Sequence, residues 1–302
     1  MSILRILGLG ALATMPLYAP AEATRAKAPE PVAIVYSLAG EASLAAPNAA
    51  RRTLRRFDRL PARTTVEVRP RSRLALAFMN GLRYELGERS RVTLGPKGLA
   101  SRTGLVRALP RLPPLPRLSP ISEEDNPGPR AGAVRIRAER IAGLYPRRGA
   151  ATLAGKTTLV FQPLKNAGGY RIEVHDGQGR TVFRTDTESP PIKVPAGALR
   201  PGLSYQWTVR TLNRPGAVAS GEAEFVTLSQ NAARMREKTR EVLEAEGPGS
   251  LPLLAEIDCG LGLLLEAREE LRTALDGVSG DPALREVLAE IERRLEDKDD
   301  SD

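Results

Sequence analysis

Leu74-Ala75-Leu76-Ala77-Phe78-Met79-Asn80-Gly81-Leu82-Arg83-Tyr84-Glu85-Leu86 is the stretch on which the fold of this chain turns. Large apolar residues alternate with small or charged ones on both sides of Asn80-Gly81, a pair that tolerates positive φ, and this combination predicts a β-hairpin. The alternation places one face in a core and leaves the other wet. Further short runs at Val32-Ile34-Tyr36, Val66-Val68 and Val92-Leu94, parted by Gly, Pro and Arg-rich turns, extend the prediction to an all-β domain over residues 31–105. Within it, only residues 51–60 have any helical period.

C-terminal to this domain the chain changes character twice. Residues 106–132 contain LPRLPPLPRLSPISEEDNPGPR, too rich in proline for a helix or an interior strand, and are expected to form an extended spacer. Residues 133–228 then carry about seven short strand signals, at Val134–Ile136, Thr158–Phe161, Tyr170–Val174, Thr181–Phe183, Ile192–Val194, Tyr205–Val209 and Ala223–Thr227. Such spacing predicts a β-sandwich. Residues 229–297 switch to helical period: a polar helix from Ser229, an apolar-periodic pair over 250–258 and 263–275, and a last helix opened by Asp281-Pro282. Residues 298–302 read as a frayed acidic end.

Three resemblances rest on these residues. The strand ending in Ala39-Gly40-Glu41-Ala42, followed by Asp58-Arg59-Leu60, a Val-rich strand and the Asn80-Gly81 hairpin, resembles the FecR domain of bacterial envelope proteins. Val66-Glu67-Val68 stands where that family usually has a threonine, and Asn80-Gly81 replaces the commoner Asp-Gly. In the second domain, Pro201-Gly202 leads into a strand with Tyr205 and Trp207 on one face. This looks like the tyrosine corner of immunoglobulin-like and fibronectin type III domains, in which the hydroxyl satisfies backbone groups at the corner. In the tail, Leu254-Ala255, Gly262, Ala267 and Ala274 resemble the small-residue positions of one tetratricopeptide-like unit. The expected fold class is therefore mainly β: a FecR-like β domain and a fibronectin III/Ig-like sandwich, followed by a C-terminal α-helical hairpin segment. Asn80, Gly81, Pro201, Gly202, Tyr205 and Trp207 are its expected structural residues.

Charge is divided along the chain. The formal net charge is +9, but residues 24–130 hold 20 basic against 9 acidic side chains and residues 231–302 hold 10 against 19. Arg51, Arg52, Arg55, Arg56 and Arg59 form the densest basic run, and on a helical turn they would make a cationic face for an anionic partner. Nucleic acid is excluded as that partner because aromatic residues are 4% of the chain, too few for stacking platforms. An envelope protein or an anionic cell-envelope polymer is expected instead, gripped through guanidinium–carboxylate or guanidinium–phosphate pairs.

The first residues, MSILR, an apolar run broken by Pro16 and Pro20, then Ala21-Glu22-Ala23, have the pattern of a signal peptide over residues 1–23. The expected location is periplasmic or secreted. No later stretch approaches the roughly 20 apolar residues of a span.

Reactive chemistry is sparse. One cysteine, Cys259, and one histidine, His175, exclude a disulfide framework and thiolate-rich zinc sites. Gly149 to Lys156-Thr157 misses the phosphate-loop spacing by one residue and precedes a strand rather than a helix. His175 belongs to the outward set of its strand with Arg171 and Glu173. No catalytic residue, metal or cofactor is expected. The expected function is a non-catalytic binding or scaffolding module of the envelope. The alternatives are a periplasmic regulatory component that signals through a separate membrane protein, and a glycan-active enzyme built on two converging carboxylates.

Overall fold

A computed structural model describes residues 30–45, 50–116, 139–212, 218–277 and 280–296. The expected signal peptide, the acidic end, the strand at 134–136 and most of the spacer lie outside the described residues.

Ten strands build the first sandwich: β1 (Pro31–Ala39), β2 (Ala42–Ala45), β3 (Arg52–Thr53), β4 (Arg59–Pro61), β5 (Thr65–Val68), β6 (Arg73–Phe78), β7 (Arg83–Leu86), β8 (Arg91–Gly95), β9 (Gly98–Thr103) and β10 (Val106–Leu109). They form two five-stranded sheets, ordered β10-β7-β6-β1-β4 and β3-β2-β5-β8-β9. Val35, Leu74, Leu76 and Phe78 from the first sheet meet Leu44, Val66, Val92 and Leu94 from the second.

The decisive hairpin forms with Leu76 opposite Tyr84 and Ala77 opposite Arg83. Its loop has three residues rather than two. The Gly81 amide donates to Phe78 O at 2.9 Å, and Gly81 alone takes positive φ, at 85°. Asn80 instead spends its side chain on the neighbours, accepting from Leu82 N at 3.1 Å and donating to Lys97 O at 2.9 Å.

The expected wet face is not wet. Ala75 and Ala77 are 8% and 0% exposed, because the C-terminal helices cover them together with Ile34 and Tyr36. The spacer also begins later than its composition implies. Residues 106–109 are β10, paired with β7 from Val106–Leu86 to Leu109–Arg83, and residues 110–116 run back over the hairpin tip. There Leu112 N donates to Gly81 O and Leu115 N to Met79 O, both at 2.9 Å. A Cβ on Gly81 would stand 2.0 Å from Leu112 O, so glycine permits the crossing. Nor do residues 51–60 make a helical turn: β3 and β4 occupy them, held by Leu54 N to Ala42 O and Val35 N to Asp58 O.

The second sandwich comprises β11 (Ala151–Thr152), β12 (Thr158–Leu159), β13 (Tyr170–Asp176), β14 (Thr181–Thr187), β15 (Ile192–Lys193), β16 (Ser204–Thr211) and β17 (Ser220–Thr227). A sheet ordered β11-β17-β16-β13-β14 faces the pair β12-β15. Trp207 is fully buried in this core, beside Ile172, Val209 and Phe225, and its indole donates to Pro146 O at 2.8 Å. The Tyr205 hydroxyl accepts from Arg200 N at 2.7 Å, closing the corner made by Pro201 and Gly202.

Four helices follow: α1 (Gln230–Ala245), α2 (Leu251–Gly260), α3 (Leu264–Gly277) and α4 (Pro282–Glu296). Ser229 Oγ caps α1 at Ala232 N, 3.2 Å, and Asp281 Oδ1 caps α4 at Ala283 N, 2.9 Å. Ala255, Ala267 and Ala274 are buried, their small side chains allowing close packing of α2 and α3. At the bend between them Gly262 has φ 79°, and a Cβ there would press on Ala151 N and Gly149 O at 3.0 Å. The bend thus seats directly on β11. One core joins Ile34, Tyr36, Ala75 and Ala77 of the first sandwich, Tyr145 and Ala150 of the second, and the leucines of α2 and α3. Among the described residues, no helix is long and apolar enough to cross a membrane.

Candidate functional site

The chain is mainly β with a helical segment at its C-terminal end, and the helices bind the two sandwiches together. Polar side chains at these junctions are therefore the first candidates for function.

The five arginines of the basic run do not share one face, because strands and turns rather than a helix carry them. Arg51 pairs with Glu67, and Arg52 with Asp58 at 2.7 Å. Arg55 is exposed, and its amide, not its guanidinium, meets Asp58. Arg56 is 8% exposed. It donates to Tyr36 O at 3.1 Å and lies 3.0 Å from Asp281 Oδ2 at the α4 cap. Arg59 donates to Glu256 Oε1 of α2 at 2.9 Å. Arg56 and Arg59 thus tie the first sandwich to the helices, while Arg51, Arg52 and Arg55 remain on the surface.

Sequence reasoning missed the most buried cation among the described residues. Arg83, on β7, grips Glu246 just past α1 through two hydrogen bonds, Nη1 to Oε2 at 2.7 Å and Nη2 to Oε1 at 2.6 Å. Its Nε and Nη2 also donate to Pro110 O at 3.0 and 2.8 Å. Ser250 Oγ donates to the same carboxylate at 3.1 Å. Burial opposes the charge on Arg83, but the Glu246 hydrogen bond and the neighbouring charges outweigh it and its pKa is raised. Burial likewise pushes the Tyr36 phenol beside it up to about 12. The available signal was Ala75 and Ala77 on the same face: two alanines in the middle of an outward strand face leave room for a cover.

A second buried cluster sits inside the helices. Arg236 of α1, expected to lie on a polar linker helix, is 5% exposed. Its Nε donates to Asp258 Oδ1 at 3.0 Å and its Nη2 to Glu270 Oε1 at 2.7 Å. Asp258 is wholly buried. Burial raises the pKa of both carboxyls, and the Asp258 charge beside Glu270 raises that of Glu270 further. Glu270 Oε2 is buried without a hydrogen-bond partner. Two carboxylates therefore converge, but not as a glycosidase pair: such acids stand about 5 Å or more apart across a bound sugar, whereas these share the Arg236 Nη2 donor and are closed over by Arg236.

Beside this cluster is a cavity of about 170 Å3. Pro113, Leu115, Met235, Ile257 and Leu261 wall it and Arg236 supplies its polar edge. The docked Pro-rich run forms one side. Cys259, half-buried on α2, has its thiol pushed up to about 12 chiefly by burial, which suppresses the nucleophilic thiolate. His175 lies on β13 with Nδ1 at 3.2 Å from Thr181 Oγ1 and Nε2 at 3.8 Å from Glu173. Among the described residues, no three His, Cys, Asp or Glu side chains gather as a metal site would require.

No family model matches this sequence, and no curated protein matches it. Among solved structures, the chain is similar to the FN1–FN3 domains of chicken CNTN1, at 11% identity and a TM-score of 0.25. The match covers 64% of this chain and 54% of that one, so this chain spans about half the length of the structure it matches. The sandwich description above rests on strand order and on the Tyr205 corner.

Proposed function

We propose that this chain is a non-catalytic, exported envelope protein that binds or scaffolds other envelope components, with a FecR-type first module and a fibronectin type III-type second module. The observation that carries the reading is the way the helices join the sandwiches. Arg56–Asp281, Arg59–Glu256 and Arg83–Glu246 fix the first sandwich to the helices, and Tyr145 and Gly262 fix the second. Buried acids and cations are thereby used to hold the modules in place, while the loop ends and outer edges of two rigid sandwiches remain free to present contacts. Rigid presentation of surface loops is what a binding scaffold requires.

The FecR reading draws on the Asn80-Gly81 hairpin within paired five-stranded sheets, and the export reading on the first 23 residues. The test is expression of all 302 residues in a bacterial host, with fractionation and intact-mass measurement. A periplasmic species beginning after Ala21 or Ala23 is expected. A cytoplasmic species that keeps Met1 would overturn the export reading.

A further inference from the structure

The β6–β7 hairpin has two ends with different fates. At its tip, the chain crosses Gly81 and departs under the helices. At its other end three turns meet: residues 69–72, residues 87–90 and residues 103–105. Arg71 N donates to Glu88 Oε2 at 2.8 Å, joining the first two. Gly87 N and Ser90 Oγ both donate to Leu105 O at 2.8 Å, joining the second and third.

This end is cationic with an apolar tip. Arg69, Arg71, Arg73 and Arg89 are exposed, and none forms an ion pair among the described residues. Arg102 and Arg107 flank Leu105 on β9 and β10. Glu41, Glu88 and Glu85, which stands opposite Arg107 in the ladder, are the opposing charges, and Glu88 is engaged by the Arg71 amide. Leu105 itself is 71% exposed, more than any other large apolar side chain among the described residues. Arg71 and Arg89 also take left-handed backbone, with φ of 57° and 55°. Glycine or asparagine would sit there more cheaply, so two strained positions hold long cations at the rim of this patch.

We propose that this end of the first sandwich docks on an anionic phospholipid surface, the guanidiniums on headgroup phosphates and Leu105 at the acyl boundary. Arginines alone would suit any polyanion. The central leucine decides for a lipid surface, since it gains from contact only where an apolar medium is offered. The charge division agrees: the acid-rich helices sit toward the hairpin tip, where Glu246 meets Arg83, so a negative surface field turns the arginine end toward the membrane. The proposal deepens the binding role above by naming its site.

The experiment is co-sedimentation of the whole mature chain with vesicles of equal parts phosphatidylglycerol and phosphatidylcholine, against pure phosphatidylcholine vesicles. Binding to the anionic vesicles alone is expected, weakening with salt. Replacing Arg69, Arg71, Arg73 and Arg89 by Gln, Asn, Gln and Asn should lower affinity about fivefold per charge, with the fold retained because asparagine accepts the left-handed positions. Leu105→Ser should lower it by roughly tenfold, and Arg51→Gln with Arg55→Gln should leave it unchanged. Inorganic phosphate should compete no better than chloride at equal ionic strength. Equal binding to both vesicle types, or full binding by the fourfold variant, overturns the proposal. Loss with the arginines but not with Leu105→Ser, or displacement by free phosphate, assigns the patch to a soluble or polymeric anion instead. If vesicle binding fails while export succeeds, the docking proposal alone falls.

Discussion

Arg83 and Glu246, 163 positions apart, meet as a two-bonded ion pair in which the guanidinium is fully buried. The pair fastens the outer face of the first sandwich to the end of α1. Removing one partner strands a buried charge, which costs about 3–5 kcal/mol. Glu246→Ala is therefore expected to lower unfolding free energy by that amount, whereas Arg83→Met with Glu246→Leu should recover much of the loss. Urea unfolding of wild type, Arg83→Met, Glu246→Leu and the double variant measures the coupling.

Gly81→Ala introduces a Cβ into the Leu112 carbonyl at a backbone φ of 85°. The crossing of residues 110–116 must then lift away. The expected results are a loss of about 2 kcal/mol or more and faster tryptic cleavage at Arg111. A cleavage rate equal to wild type would falsify the docked arrangement.

Tyr205→Phe deletes the acceptor of the Arg200 amide and leaves that amide in need of a partner. A loss of about 1–3 kcal/mol follows. Trp207, the chain's only tryptophan, lies two residues away and fully buried, so its fluorescence reports the transition. Unfolding of the first sandwich, followed by hydrogen exchange, should move less.

Glu270 is held protonated in the folded chain by burial and by the neighbouring Asp258, against the attraction of Arg236. Its pKa lies above the unfolded value, so the native state binds the extra proton and stability falls as pH rises above about 4.5. Glu270→Gln keeps an oxygen for Arg236 Nη2 and removes the titrating proton. The variant should gain on wild type steadily between pH 5 and 8, by at most about 1.4 kcal/mol per pH unit. Parallel stability curves would remove Glu270 as the titrating group.

Much of the architecture follows from local pattern. Period-two runs at Leu74–Leu86 and Tyr205–Val209 correspond to β6, β7 and β16, and Asp281-Pro282 opens α4, because hairpin and cap chemistry act over a few residues. Whatever depended on distant partners was not legible. Ala75, Ala77 and Arg83 read as a wet face because the helices that cover them lie more than 150 positions away. Arg51 to Arg59 read as a helical cationic stripe because nothing local reveals that Asp281 and Glu256 claim two of them. Arg236 read as one more charge on a polar helix, since its partners Asp258 and Glu270 come from the next two. Leu105 sat at the far edge of the expected domain, and its exposure depends on three turns meeting.

The Arg83–Glu246 pair also sets a timetable. A chain that emerges N-terminus first, from the ribosome or from an export channel, presents both sandwiches before Glu246, Asp258 and the leucines of α2 and α3. Until those residues emerge, Ile34, Tyr36, Ala75 and Ala77 stay uncovered and Arg83 has no counter-ion. The N-terminal module is thus the first to be synthesised and among the last to be completed, and a nascent chain halted near residue 228 would display an apolar sheet face to whatever aggregates or chaperones it.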